Sequence, residues 1–96
     1  MEARDVLPES EILAQMAEEA AELAQAALKL RRVLDGTNPT PVTEGAARSS
    51  LVEEYGDVLN CGDQIFSALD LVLCTDMRGR KKQRWSERLK ERSDNG

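Results

Sequence analysis

Residues 9–36 read ESEILAQMAEEAAELAQAALKLRRVLDG, and the reading of this stretch decides the fold. Leu13, Met16, Ala20, Leu23, Ala27, Leu30 and Leu34 recur at steps of three and four, the spacing of one face of an α-helix. Alanine, leucine and glutamate dominate the remainder, all strong helix formers. The spacing predicts a first long helix over about residues 9–35, starting at Pro8, Glu9 or Ser10 and stopped by Asp35-Gly36.

Outward from it, Gly36-Thr37-Asn38-Pro39-Thr40-Pro41-Val42-Thr43 holds one glycine and two prolines in eight residues and cannot continue a helix. It predicts a loop over 36–44, either lying over a ligand or merely connecting helices. Thr43 is placed to cap a second long helix over about 45–76. There Val52, Tyr55, Leu59, Gly62, Phe66, Leu69 and Leu73 repeat the three-four rhythm, and a parallel stripe of Leu51, Val58, Ile65 and Val72 widens the apolar arc. An arc that wide predicts two neighbours for this helix. Past Gly79, Arg80-Lys81-Lys82-Gln83-Arg84-Trp85 opens a short charged helix over 80–92, and residues 93–96 are expected to fray.

The expected class is therefore all-α: a hairpin of two long helices plus a short C-terminal helix, in one domain covering residues 1–96. A chain of 96 residues buries only a modest core alone. Pairing with copies of itself, as a homodimer or homotetramer closing four-helix bundles, is expected to supply the rest. Aromatic residues are 3% of the chain, so the core is aliphatic and alanine-rich.

The net charge of −5 conceals an asymmetry. Residues 1–76 carry five Lys/Arg against fifteen Asp/Glu, and residues 77–96 carry eight against three. An acidic body argues against nucleic acid or an anionic membrane as main partner unless the basic tail acts alone, and it suits cations. With 0 histidines, imidazole catalysis and histidine metal sites are excluded. Cys61 and Cys74, roughly 20 Å apart along one continuous helix, cannot pair within it and are expected as reduced core residues. Neither a leader pattern nor an apolar run of about 18 residues is present, which predicts a cytoplasmic chain with no membrane span.

The acidic side chains carry the chemistry. On a wheel of about 100° per residue with Leu23 at zero, Glu19 falls near −40°, inside the apolar arc between Leu30 and Ala26, and Glu22 near −100°. An unpaired carboxylate there is costly, so something positive is expected to face it. Glu54 and Asp57 flank the apolar arc of the second helix with the same i, i+3 spacing. Two antiparallel helices joined by a short loop bring these pairs together. Four converging carboxylates repel unless protonated or neutralised by a divalent ion, and an all-oxygen site suits Mg²⁺ or Mn²⁺. Taken singly, such glutamates are usually solvated surface; the matching second pair is what argues for a site.

Glu18-Glu19-Ala20-Ala21-Glu22 followed by Glu54-Tyr55-Gly56-Asp57-Val58-Leu59 resembles the EExxE…ExxD signature of MazG-like all-α nucleotide pyrophosphohydrolases, over roughly residues 12–88. The resemblance implies cleavage of a nucleoside triphosphate between its α- and β-phosphates, giving a monophosphate and pyrophosphate. It implies Glu19, Glu22, Glu54 and Asp57 as Mg²⁺ ligands, with Glu18 either supporting those ligands from behind or orienting water. It further implies that Arg80, Lys81 and Arg84, with Lys82 close behind, hold substrate phosphates. Asn60 stands as a candidate substrate contact. Only about eight residues precede the first helix, where relatives often carry an extra one, so at most a turn is expected there. Trp85 either stacks on a base or anchors the last helix, and Cys61 is read as packing. Two other readings stay open: a catalytically silent acidic helical bundle that binds a partner, and a DNA-binding helix-turn-helix using residues 78–92, which the acidic body disfavours.

Overall fold

The computed structural model describes residues 1–39 and 41–95; Thr40, within the expected loop, and Gly96 lie outside the described residues. Among the described residues every regular element is helical: a single 3-10 turn at Ala3–Asp5, then α1 (Glu9–Asp35), α2 (Glu44–Ile65) and α3 (Ala68–Asn95). The chain divides into two compact units, Met1–Ile65 and the residues from Phe66 onward.

In the first unit α1 and α2 pack against each other as a hairpin. Pro8 starts α1 by offering its carbonyl to the amides of Glu11 and Ile12 at 3.0 and 3.3 Å. Gly36 ends it with φ +77°, the left-handed conformation that glycine adopts without steric penalty, and its amide donates to the carbonyl of Arg32. Thr37 and Asn38 send their amides to that same carbonyl, so the Arg32 carbonyl at the end of the helix is satisfied locally. Thr43 caps α2 as expected, its hydroxyl accepting the Ala46 amide at 3.1 Å.

On α1 the seam keeps Met16, Leu23 and Leu30 of the expected stripe but is rotated from it by about 60°. Ile12, Met16, Glu19, Leu23, Ala26, Leu30 and Val33 turn inward on α1, and Ala47, Leu51, Glu54, Val58, Cys61 and Ile65 on α2. Both sets step alternately by four and three, the heptad spacing of two helices packed nearly side by side. Leu13 and Leu34, expected in the core, are 48% and 58% exposed, and Tyr55 is 55% exposed. The narrower stripe of α2 is thus the one that meets α1, while Val52, Tyr55 and Leu59 face outward.

The second unit corrects the expected boundaries. The helix forecast for 45–76 stops at Ile65, and the one forecast for 80–92 runs instead over the whole of Ala68–Asn95, through Gly79 and through the residues 93–95 expected to fray. The cause is a capping box. Asp70 donates its amide to the Ser67 hydroxyl at 3.1 Å, and Ser67 donates its amide to the Asp70 carboxylate at 3.0 Å. Glycine inside a helix costs about 1 kcal/mol relative to alanine and does not forbid it, so Gly79 is carried by its neighbours. Cys61 is buried as expected. Cys74 is exposed on α3, so it is no core residue; both thiols are free. Among the described residues no helix is long and apolar enough to cross a membrane.

Candidate acidic site

Heptad spacing places two carboxylates where apolar side chains belong. Glu19 continues the line of Ile12, Ala26 and Val33 along α1, and Glu54 lies midway between the buried Ala47 and Cys61 along α2. Both are half-buried, and one carboxylate oxygen of each, Oε2, is fully buried with no hydrogen-bond partner. Glu22, exposed one turn along α1 from Glu19, completes the cluster: one oxygen from each of Glu19, Glu22 and Glu54 lies within 4.8 Å of the others.

The electrostatics follow from that crowding. Burial is the main reason the carboxyl of Glu19 is held above its ordinary value of 4.5, followed by the charges of Glu22 and Asp57. Glu54 is raised for the same first reason, with the charge of Glu22 next. Among the described residues the ion pairs are Arg48 with Glu44 and Arg80 with Asp76, and neither involves the cluster. Cys61 lies under it, its thiol pushed up by burial and then by Glu19 and Asp57. A raised thiol pKa disfavours the nucleophilic thiolate, in keeping with a packing role.

Asp57 stands beside the triad and not within it. It is half-buried and shares with Glu19 a cavity of about 590 Å³, whose wall also includes Ile12, Gln15, Asn60 and Cys61. The turn at residues 3–5 closes one side of that cavity. Arg4 donates its amide to Gln64 Oε1 at 3.1 Å and its guanidinium to the carbonyl of Asp63 at 3.3 Å, and Gln64 donates its side-chain amide to Glu2. On the other side, Glu22 and Glu54 border a second cavity of about 700 Å³, with Lys29, Arg32 and Ser50 in its wall.

The hairpin therefore brings together Glu19, Glu22 and Glu54, sets Asp57 and Asn60 at the adjoining cavity, and leaves Glu18 on the solvent side of α1. Arg80, Lys81 and Arg84 belong to the second unit, where they line a groove on α3 with Met77 and Gln83. Lys29 and Arg32 were not singled out from sequence. Their signal was present, as cations two and three helical turns beyond Glu22 on the same side of α1.

Oxygen atoms opposite each other across an octahedral Mg²⁺ stand about 4.2 Å apart, so a spread of up to 4.8 Å is close to what one hard cation requires. Two buried, unpartnered carboxylate oxygens are the donors such an ion seeks, and the residues present fit it. No family model matches the chain, and no curated protein or solved structure is found similar to it.

Proposed function

We propose that the chain is a Mg²⁺-dependent nucleoside triphosphate pyrophosphohydrolase of the MazG-like kind, converting a (d)NTP and water to a (d)NMP and pyrophosphate. The observations that carry this reading are Glu19 and Glu54 at seam positions of the hairpin, each with one unpartnered buried oxygen, and one oxygen from each of Glu19, Glu22 and Glu54 within 4.8 Å of the others. A carboxylate in an aliphatic seam destabilises the fold unless it is neutralised, so retaining two there makes sense for a cation site.

Glu19, Glu22 and Glu54, with Asp57 beside them, would hold the ion, and Mn²⁺ suits the same oxygens. Bound there, the metal supplies Lewis-acid polarisation of a phosphate oxygen and a lowered pKa for coordinated water. The chain's own residues do the rest. Lys29 and Arg32 offer cationic donors to the β- and γ-phosphates from the cavity that Glu22 and Glu54 border. The cavity beyond Asp57 offers the amides of Gln15 and Asn60 beside the apolar Ile12 to the nucleoside end. Glu18, exposed next to Glu19, would orient the attacking water. Water adds to the α-phosphorus, its proton passes to a carboxylate of the cluster, and the bond from the α-phosphorus to the bridging oxygen breaks, so pyrophosphate leaves.

The test is a panel of canonical and modified (d)NTPs incubated with Mg²⁺, pyrophosphate and orthophosphate being measured separately. Monophosphate with pyrophosphate is expected; orthophosphate in its place would overturn the bond assignment. The rival, a catalytically silent helical interaction protein, draws on the exposed apolar stripe of Val52, Tyr55 and Leu59. It expects no metal-dependent turnover with any nucleotide and no change in metal affinity when Glu19 becomes glutamine.

A further inference from the structure

The acidic balance of the chain as a whole disfavours a polyanionic partner, yet the structure concentrates the basic residues on one face of one helix. On a wheel of about 100° per residue centred on Trp85, Arg78, Lys81, Lys82, Arg88 and Arg92 all fall within about 60° of it, with Leu89 among them. No acidic residue of α3 enters that arc between Arg78 and Arg92. Along the helix axis the five cations span about 21 Å. All five are exposed, and among the described residues none forms an ion pair; the basic side chain of α3 that does, Arg80, lies outside the arc.

At its centre Trp85 is 65% exposed, against a groove of about 850 Å³ that it lines with Arg78, Lys82 and Leu89. An indole held in the open among cations matches one kind of ligand: a chain of phosphates that carries flat, stackable bases. An anionic lipid surface fits less well. An interfacial helix needs an apolar face opposite its charged one, and between Arg78 and Arg92 the side of α3 away from Trp85 carries Gly79, Gln83, Ser86, Glu87 and Lys90.

We propose that the face of α3 formed by Arg78, Lys81, Lys82, Arg88 and Arg92 around Trp85 is a binding surface for single-stranded nucleic acid. The cations neutralise successive phosphates, and the indole stacks on one base. The hydrolase reading needs none of Arg78, Arg88, Arg92 or Trp85, while Lys81 and Lys82 are cations that the resemblance also assigns to substrate phosphate.

The test uses the full-length chain and a fluorescein-labelled 16-nucleotide oligothymidylate, followed by anisotropy at several salt concentrations without divalent ions. Expected are saturable binding, quenching of the fluorescence of Trp85, the one tryptophan, and a log–log salt slope of about −2 to −3.5, from about 0.7 per neutralised phosphate. Arg78→Glu/Arg88→Glu/Arg92→Glu is expected to weaken binding more than tenfold and flatten the slope while circular dichroism keeps its helical signal. Trp85→Ala should weaken it at least about fivefold, and Trp85→Phe should restore most of the loss. The proposal is overturned by absence of binding at low salt, by a salt-independent affinity, or by charge reversal that leaves affinity unchanged. It is equally overturned if vesicles of phosphatidylserine and phosphatidylcholine blue-shift Trp85 while the oligonucleotide does not.

Discussion

Glu19 and Glu54 set the balance between stability and chemistry in the hairpin. Their carboxyls are raised above 4.5 chiefly by burial, so the folded chain holds these protons to higher pH than the unfolded chain does. At low pH both states are protonated and the pair costs nothing. As pH rises past about 4.5 the unfolded chain ionises first, stability falls, and it stays reduced at neutral pH. Thermal melts of the metal-free chain should therefore show a Tm that declines from pH 4.5 towards 7. Glu19→Gln/Glu54→Gln should flatten that decline and raise the Tm at pH 7. Added Mg²⁺ at pH 7 should raise the Tm of the natural chain and leave the double variant unmoved. In turnover assays Glu19→Gln alone should cost at least about 100-fold, the upper end of what losing a partner of a metal ligand costs. Arg32→Ala should raise KM about tenfold with little change in kcat, the loss of one charge-assisted hydrogen bond to phosphate. An unchanged KM would remove the second cavity from the phosphate-binding scheme.

Among the elements, the end of α2 is where local chemistry overrode apolar periodicity. The three-four rhythm continues through Phe66, Leu69 and Leu73, and nothing in it marks a stop. Ser67 and Asp70 divide it by binding each other's amides. Ser67→Ala removes the hydroxyl acceptor and is expected to cost about 1 kcal/mol at the start of α3. Hydrogen exchange should then quicken at the amides of residues 68–70 and not in α1. Unaltered exchange there would show that the box does not hold the junction.

Across the whole molecule, burial is sparse. The buried hydrophobic side chains are Ile12, Leu30, Ala47 and Cys61, while Val52, Tyr55 and Leu59 on α2 and Leu69, Val72, Leu73 and Met77 on α3 are exposed. Large apolar faces of that kind mark interaction sites, and the chain is too short to stabilise itself generously without them. Self-association is the proposed use of the α2 stripe. Sedimentation should give a dimer or tetramer, and Tyr55→Asp/Leu59→Asp should shift it towards monomer while lowering the Tm. A monomeric natural chain would instead assign the stripe to a different partner.

The helical class, the hairpin, the stop at Gly36 and the start at Thr43 were legible in the sequence, because they follow from patterns within a few residues: periodicity, a left-handed glycine, a capping hydroxyl. Glu19 inside the apolar arc was legible for the same reason. The register of the seam was not. Leu13 and Ile12 are adjacent and similarly apolar, so α1 alone offers two overlapping faces turned by about 60°, and α2 likewise offers two stripes. Only packing one helix on the other chose Ile12 over Leu13 and Leu51 over Val52, and that choice brought Glu54 inward beside Glu19 and Glu22. The same limit applies to Lys29 and Arg32, whose place beside the acidic cluster depends on where α2 lies across α1. Local interactions are written along the chain; which of two equivalent faces is buried is decided where two helices meet.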